Sequence, residues 1–198
     1  MLDTVFKCVF FAGLIAASLI RTLAAKRHRQ NTTVACRKTG VVEWLLMILW
    51  GVGVSVTPIL YVVSSWLDFA DYRLPTWAGL VGAGTFAGAV WLLWRSHVDL
   101  GANWSAELEI GKEHALVTEG VYRLIRHPMY AAHLLWGIGQ ALLLQNFIAG
   151  LITSVVFVPL YLLRVPREEQ MMLEHFGEDY RSYMARTGRV VPRVWRFH

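Results

Sequence analysis

The sequence predicts an all-α, polytopic integral membrane protein, and three observations carry that prediction. The chain is 56% hydrophobic and 17% charged, it holds nine tryptophans, and its apolar residues fall in long uninterrupted runs. A helix of about 20 apolar residues crosses the hydrocarbon of a bilayer. A porin-like barrel is excluded, because its strands would alternate apolar and polar residues instead of running continuously. A mean hydropathy of +0.43 agrees. At 198 residues the chain fits a single domain, 1–198.

Five spans are expected. The first covers about 2–23 and is followed, not preceded, by a basic cluster, so it reads as an uncleaved anchor and not a signal peptide. The second covers about 41–66. Gly51, Gly53 and Pro58 lie inside it and predict a kink near residue 54, where proline removes a backbone donor. Trp44 and Trp66 near its ends suit aromatic anchoring at the two interfaces. The third span is expected from Pro75, a favourable first helical residue, to about Trp94. Within it, Gly84 and Gly88 have the small-xxx-small spacing that lets helices approach closely, read here as internal packing.

Residues 95–128 read as a long polar connection. Ala106, Leu108 and Ile110 alternate with Glu107 and Glu109 and predict a short extended piece before the Gly111-Lys112 turn. Thr118 is expected to cap a short helix over 119–126, limited by Pro128. The fourth and fifth spans, about 129–144 and 147–163, form a hairpin around Gln145-Asn146. From Pro166 the tail is amphipathic, with Met172, Leu173, Phe176, Tyr180, Tyr183 and Met184 at helical spacing and a bend at Gly177.

Charge sets the orientation. Seventeen of the 19 Lys and Arg fall in 21–38, 95–128 and 164–198, leaving only Lys7 and Arg73 for the other side. The positive-inside rule then puts the N-terminus outside and the C-terminus in the cytoplasm. The basic loop after the first span is read as a headgroup contact, so no nucleic-acid partner is expected. Cys8 and Cys36 have neither metal-ligand spacing nor a disulfide framework and read as inert thiols.

The chemistry gathers in two polar pieces on that cytoplasmic face. His114 to Tyr130 concentrates His114, Tyr122, His127 and Tyr130 beside Pro128. Arg164-Val-Pro-Arg-Glu168-Glu169 follows the last apolar run, and Arg164 and Glu168 are spaced to share a helix face and pair. A charge at the membrane end of a span is costly unless it is paired or functional. The bland readings are a snorkelling arginine and a histidine that caps backbone groups. No H-E-x-x-H or cysteine pair points to a metal, no G-x-G-x-x-G follows a strand, and no G-x-S-x-G elbow is present.

Gly120-Val-Tyr-x-x-x-Arg126-His127-Pro128-x-Tyr130, preceded by His114-Ala-Leu-Val117, resembles the isoprenylcysteine carboxyl methyltransferase family. So do Arg164-x-x-x-Glu168-Glu169, Phe176-Gly-Glu-Asp-Tyr180 and Asn103-Trp-Ser, the last in the manner of its prokaryotic members. The likeness is densest over 99–192. It implies a membrane enzyme of a prokaryotic plasma membrane that uses S-adenosylmethionine, leaving S-adenosylhomocysteine, to esterify the carboxylate of a lipophilic, prenylcysteine-like acceptor drawn from among the membrane lipids. It further implies that His114, Ala115, Leu116, Val117, Tyr122, His127, Pro128, Met129, Tyr130 and Glu168 contact the cofactor. Arg164 would hold the acceptor carboxylate, and Arg164 and Glu168 would be the catalytic pair, with Glu168 orienting Arg164. At Glu107 eukaryotic members have an amide, so no cofactor contact is carried over to it.

The residues suit that chemistry. A carboxylate is already an anionic nucleophile at neutral pH and needs no general base. Arginine holds a planar carboxylate through a bidentate fork. Two other readings are weighed: a phospholipid amine N-methyltransferase, whose nucleophile would require a proton acceptor, and a non-catalytic membrane scaffold or sensor.

Overall fold

The computed structural model describes residues 2–31, 34–37, 40–101, 109–111 and 115–193. Helix α1 spans Leu2–Asn31 and a strand β1 spans Val34–Arg37. Helix α2, Val41–Gly51, runs through a π-helical turn at Val52–Val56 into α3, Thr57–Val63. Helix α4 spans Thr76–Leu100, a strand β2 spans Glu109–Gly111, and α5, α6 and α7 span Pro128–Leu144, Phe147–Phe176 and Glu178–Arg186. The two short strands pair antiparallel. The extended piece expected after residue 105 is therefore present at β2, while 102–108 and 112–114 lie outside the described residues.

Four helical stretches are long and apolar enough to cross a membrane: Leu2–Lys26, Val41–Val63, Thr76–Leu100 and Phe147–Phe176. Their outward faces carry exposed Ile15, Leu19, Ile48, Val155 and Leu162, as lipid-facing surfaces do. This is the helix set of an integral membrane protein. At 17 residues, α5 is shorter than these four.

Where the sequence predicts a kink, the helix forms a π turn. Pro58 has no N–H to give to the helix, and the chain widens over Val52–Val56 just before it. Ser55 Oγ donates to Gly51 O at 2.8 Å across the same segment. Trp44 and Trp66, near the ends of this span, are exposed as anchors should be. The hairpin between α5 and α6 also forms as expected. Gln145 takes the left-handed conformation at φ 48°, and Asn146 caps α6, its Oδ1 accepting from Ile148 N at 3.0 Å and Ala149 N at 2.8 Å. Asn146 Nδ2 donates to Leu67 O at 2.7 Å and Asp71 Oδ1 at 2.8 Å, fastening the α3–α4 loop to the hairpin.

Several boundaries differ from those the sequence predicts. Pro75 caps α4 from outside, and the helix continues to Leu100 instead of stopping at Trp94. Arg95 and Asp99, which read as loop charges, instead form an i,i+4 pair at 2.5 Å that keeps this stretch helical. Thr118 caps no helix: a 3-10 turn at Gly120–Arg123 replaces the predicted 119–126 helix. Asp99 Oδ2 accepts from Val121 N at 2.9 Å and holds that turn. The fifth span does not end near 163 but continues through Pro159 and Pro166 to Phe176, and only there does Gly177, at φ 54°, redirect the chain into α7.

Close helix packing also falls elsewhere than predicted. Gly84 and Gly88 face open space, whereas a side chain at Gly139 would meet the Phe86 backbone at 3.0 Å. Gly82 and Gly139 are the residues that let α4 and α5 approach. Phe10, Phe86, Leu93 and Trp136 fill the core between α1, α4 and α5. An apolar cavity of about 520 Å³ opens beside it between α1 and α4.

Asn146→Ala should therefore lower stability by about 1–2 kcal/mol, the usual cost of a lost N-cap. The loop tie to Leu67 would go with it. Thermal unfolding in detergent measures this, and an unchanged midpoint would remove Asn146 as the fastener of the hairpin.

Candidate functional site

The site grows from the segment that enters α5. Three anchors fix Val121 to His127, which otherwise forms only one turn of 3-10 helix. Tyr183 Oη of α7 donates to Tyr122 O at 2.6 Å, Arg126 N donates to Gly188 O at 2.8 Å, and His127 N donates to Arg189 O at 2.9 Å. The chain after α7 thus lies alongside the entry to α5 as a strap, with a parallel bridge between Ile125 and Gly188. Burial raises the Tyr183 phenol above its ordinary pKa, so that hydroxyl remains a donor.

Beneath the strap is Glu169, its side chain 5% exposed. Arg126 Nε donates to its Oε1 at 2.9 Å, and His127 Nε2 donates to the same oxygen at 3.3 Å. From the strap, Arg189 donates through Nε to Oε2 at 3.0 Å and through Nη2 at 2.6 Å. Arg126 Nη1 also donates to the carbonyls of Met184 and Thr187. A carboxylate can only accept, so His127 carries its proton on Nε2.

The neighbouring Glu168 is in a different situation. Its side chain is 29% exposed. Tyr130 Oη donates to its Oε2 at 2.8 Å, and His127 Nδ1 lies 3.7 Å from Oε1. Among the described residues no arginine or lysine pairs with it. Two adjacent glutamates are thus treated oppositely: one is bound by two guanidinium groups, and the other has a phenol and an imidazole beside it.

Arg164 does not pair with Glu168, the partner its spacing predicts. It turns to α2, where Nε lies 3.1 Å from Glu43 Oε1 and Nη1 lies 3.1 Å from the Met47 sulfur. Glu43 is fully buried, and Arg167 approaches its other oxygen at 3.7 Å. Helix geometry allows the i,i+4 pair, but a fully buried carboxylate across the bundle has no water to fall back on and captures the arginine. Glu43 was missed from sequence because an acid in the first turn of an apolar helix reads as a dipole match. Its partner is more than a hundred residues away.

The remaining predicted residues are distributed as follows. Tyr122 is buried, its hydroxyl donating to Ser96 O at 3.4 Å. His127 is buried, Pro128 opens α5 as its first residue, and Met129 and Tyr130 are half-buried. The Tyr130 ring packs against His127, Phe157 and Tyr161 at centroid distances of 5.6, 6.1 and 5.8 Å. Ala115, Leu116 and Val117 form an irregular stretch leading to Gly120, with Ala115 exposed. His114 lies outside the described residues, as do Asn103, Trp104, Ser105 and Glu107. The structure therefore gathers Tyr122, His127, Tyr130 and Glu168 at one locus. Glu169, Arg126, Arg189 and Glu43 join them around it, with Arg164 beside Tyr161 on the next turn of α6.

With this geometry established, similarity to known proteins can be placed on it. The model of the isoprenylcysteine carboxyl methyltransferase (ICMT) family matches residues 82–174, which include Tyr122 to Tyr130 and Arg164 to Glu169. Protein-S-isoprenylcysteine O-methyltransferase B of Arabidopsis thaliana is 35% identical over 99 residues, 49% of this chain and 50% of the relative. The human protein-S-isoprenylcysteine O-methyltransferase is 29% identical over 141 residues, 67% of this chain and 50% of the relative. That of Schizosaccharomyces pombe is 34% identical over 83 residues, 42% of this chain and 35% of the relative. The chain thus spans half or less of the length of these relatives. A solved structure of a eukaryotic intramembrane Ras methyltransferase, ICMT, aligns with 76% of this chain and 51% of its own, at 24% identity and a TM-score of 0.49.

The opposed environments of the two glutamates separate their mutational effects. Glu169→Gln should cost about 3 kcal/mol, because it leaves Arg126 buried without its counter-charge. Glu168→Gln should change stability by less than about 1 kcal/mol, as expected of a part-exposed group with no ion partner to orphan. Unfolding in detergent compares them, and equal losses would contradict the division drawn here.

Proposed function

We propose that this protein is a membrane methyltransferase that transfers a methyl group from S-adenosylmethionine to the carboxylate of an isoprenylcysteine-like acceptor. The observation that carries the reading is the free charge of Glu168. A carboxylate left without a cation, beside the well-neutralised Glu169, is a place for a cationic ligand. The names of the relatives supply the substrate class, and the matched segment contains both halves of the site.

The donor set fits a sulfonium cofactor. Glu168 would face its positive charge, and His127, Tyr130 and Tyr122 would border it. Pro128 and Met129 form the start of α5, and His114, Ala115, Leu116 and Val117 are proposed as further cofactor contacts. Bound there, S-adenosylmethionine supplies an electrophilic methyl group, and a carboxylate takes it with no proton to remove.

What the chain itself must do is orient and desolvate. Arg164 presents a guanidinium whose Nε lies 3.1 Å from Glu43 and whose Nη1 lies 3.1 Å from the Met47 sulfur, contacts that would orient it toward the acceptor carboxylate. Phe157, Tyr130 and Tyr161 form an aromatic wall beside it that excludes water and strengthens both charge contacts. We place the N-terminus outside and this site on the cytoplasmic face of a prokaryotic plasma membrane, with α5 as a fifth, short crossing. A soluble cofactor then enters from one side and a prenyl chain from the bilayer.

Purified protein with labelled methyl donor, offered N-acetyl-S-farnesylcysteine and phosphatidylethanolamine separately, tests the proposal. Base-labile methyl ester on the first alone is expected; transfer only to the amine would overturn it. Arg164→Ala combined with Glu43→Gln, which avoids orphaning a buried charge, should reduce ester formation roughly 100-fold, the scale of a mispositioned reactant. Donor affinity should stay within about threefold of wild type, since only the acceptor loses a partner.

A further inference from the structure

One half-buried cation has no role in the site described so far. Arg21 lies on α1 and turns inward, not toward the headgroups where a snorkelling arginine would go. Its guanidinium stacks 5.3 Å from the Trp50 ring, and Nη1 donates to His133 Nε2 at 3.3 Å. An imidazole that accepts at Nε2 carries its proton on Nδ1 and is neutral. His133 is itself gripped between Trp50 at 4.7 Å and Phe157 at 5.3 Å. Among the described residues no carboxylate pairs with Arg21, so its charge inside the bundle is balanced by aromatic faces and a neutral ring alone.

This arginine belongs to the same wall as Arg164. Glu43, Met47 and Trp50 share one face of α2, spaced three and four residues apart. Arg164 meets the first two and Arg21 the third. Met47 and Trp50 are separated by about 4.5 Å along the helix axis. Phe157 closes the opposite side, touching Trp50 at 5.9 Å as well as His133 and Tyr130. Along this face two guanidinium groups from different helices are held by the same side of α2. Glu43 is approached by both Arg164 and Arg167.

We propose that Arg21 is a second anchor for the acceptor's carboxylate, working with Arg164 from the membrane side while His133 and Trp50 fix its aim. A half-buried guanidinium without a carboxylate partner among the described residues is incompletely compensated, and an anion that arrives with the substrate would complete it. Selectivity follows: a neutral group of the same shape would leave Arg21 uncompensated. The inference rests on the methyltransferase reading for the identity of the anion, and not for its existence.

The test uses the full chain in detergent, with S-farnesylthiopropionic acid and its primary amide as probes, and dissociation constants read by intrinsic tryptophan fluorescence. Wild type should prefer the acid. In Arg21→Met, which keeps an apolar stem suited to the bilayer, that preference should fall about tenfold, the value of one charge-assisted contact. Amide affinity should stay within about twofold, which a merely structural role would not allow. Arg21→Lys should fall between, because a point charge lacks the fork, and it carries the same test if Arg21→Met does not fold. No acid preference in wild type, equal weakening of both probes, or weakening of S-adenosylmethionine instead would each overturn the inference. Transfer to N-acetyl-S-farnesylcysteine, assayed alongside, separates the two proposals. An Arg21-dependent acid preference without transfer would sink the function and leave the anion site, and transfer with an unchanged preference would do the reverse.

Discussion

The carboxylate of Glu169 is the point through which three separate pieces of chain are registered. Arg126 and His127 reach it from the entry to α5, Arg189 from the strap that follows α7, and Glu169 itself stands on α6. Two of these pieces have little regular structure to hold them: the entry is a single 3-10 turn, and the strap has no helix or strand. Burying a carboxylate is affordable only when its oxygens are satisfied, and here five donor contacts from three side chains do so. Position and charge are therefore fixed together, and the locus around His127 is assembled before any ligand arrives.

From that constraint the rest of the site follows. Because Glu169 takes both arginines, Glu168, one residue earlier and on a different face of the helix, is left to Tyr130, His127 and solvent. Because α6 runs unbroken past Pro166, Arg164 and Glu168 lie one turn apart on a single helix. Glu43 then draws Arg164 across to α2. The outcome is a glutamate without an arginine or lysine partner among the described residues, one helical turn from an arginine drawn to α2. That polarity suits a reaction between a cationic donor and an anionic acceptor.

Much of this was legible in the sequence where a local rule operates. Pro58 announced the distortion of the second span, Gln145-Asn146 the hairpin, and Gly177 the turn into α7, because each acts through its own backbone. The motif from Gly120 to Tyr130 and the Arg164 to Glu169 run lie next to each other in the fold, through His127, Tyr130, Glu168 and Glu169. What escaped depends on distant partners. Glu43 and Arg189 are single charges without periodicity, and nothing nearby distinguishes them from surface residues. The α4 extension was hidden because Arg95 and Asp99 look like loop charges until they pair with each other. Pro166 reads as a helix breaker, but the contacts made on both sides of it by Arg164 and Glu169 hold α6 straight through. Gly84 and Gly88 fit a packing motif that the bundle fulfils at Gly82 and Gly139 instead. Spacing alone does not say which face of α4 meets α5.

The division between the two adjacent glutamates is the central claim, and charge discrimination tests it most directly. S-adenosylmethionine and S-adenosylhomocysteine differ at the sulfur by a methyl group and a positive charge. Calorimetric affinities for both, in wild type and Glu168→Gln, isolate the contribution of that charge. The account predicts that the substitution lowers the preference for the cationic ligand by about tenfold, the worth of a charge-assisted contact of roughly 1.4 kcal/mol. An unchanged ratio between the two ligands would contradict it.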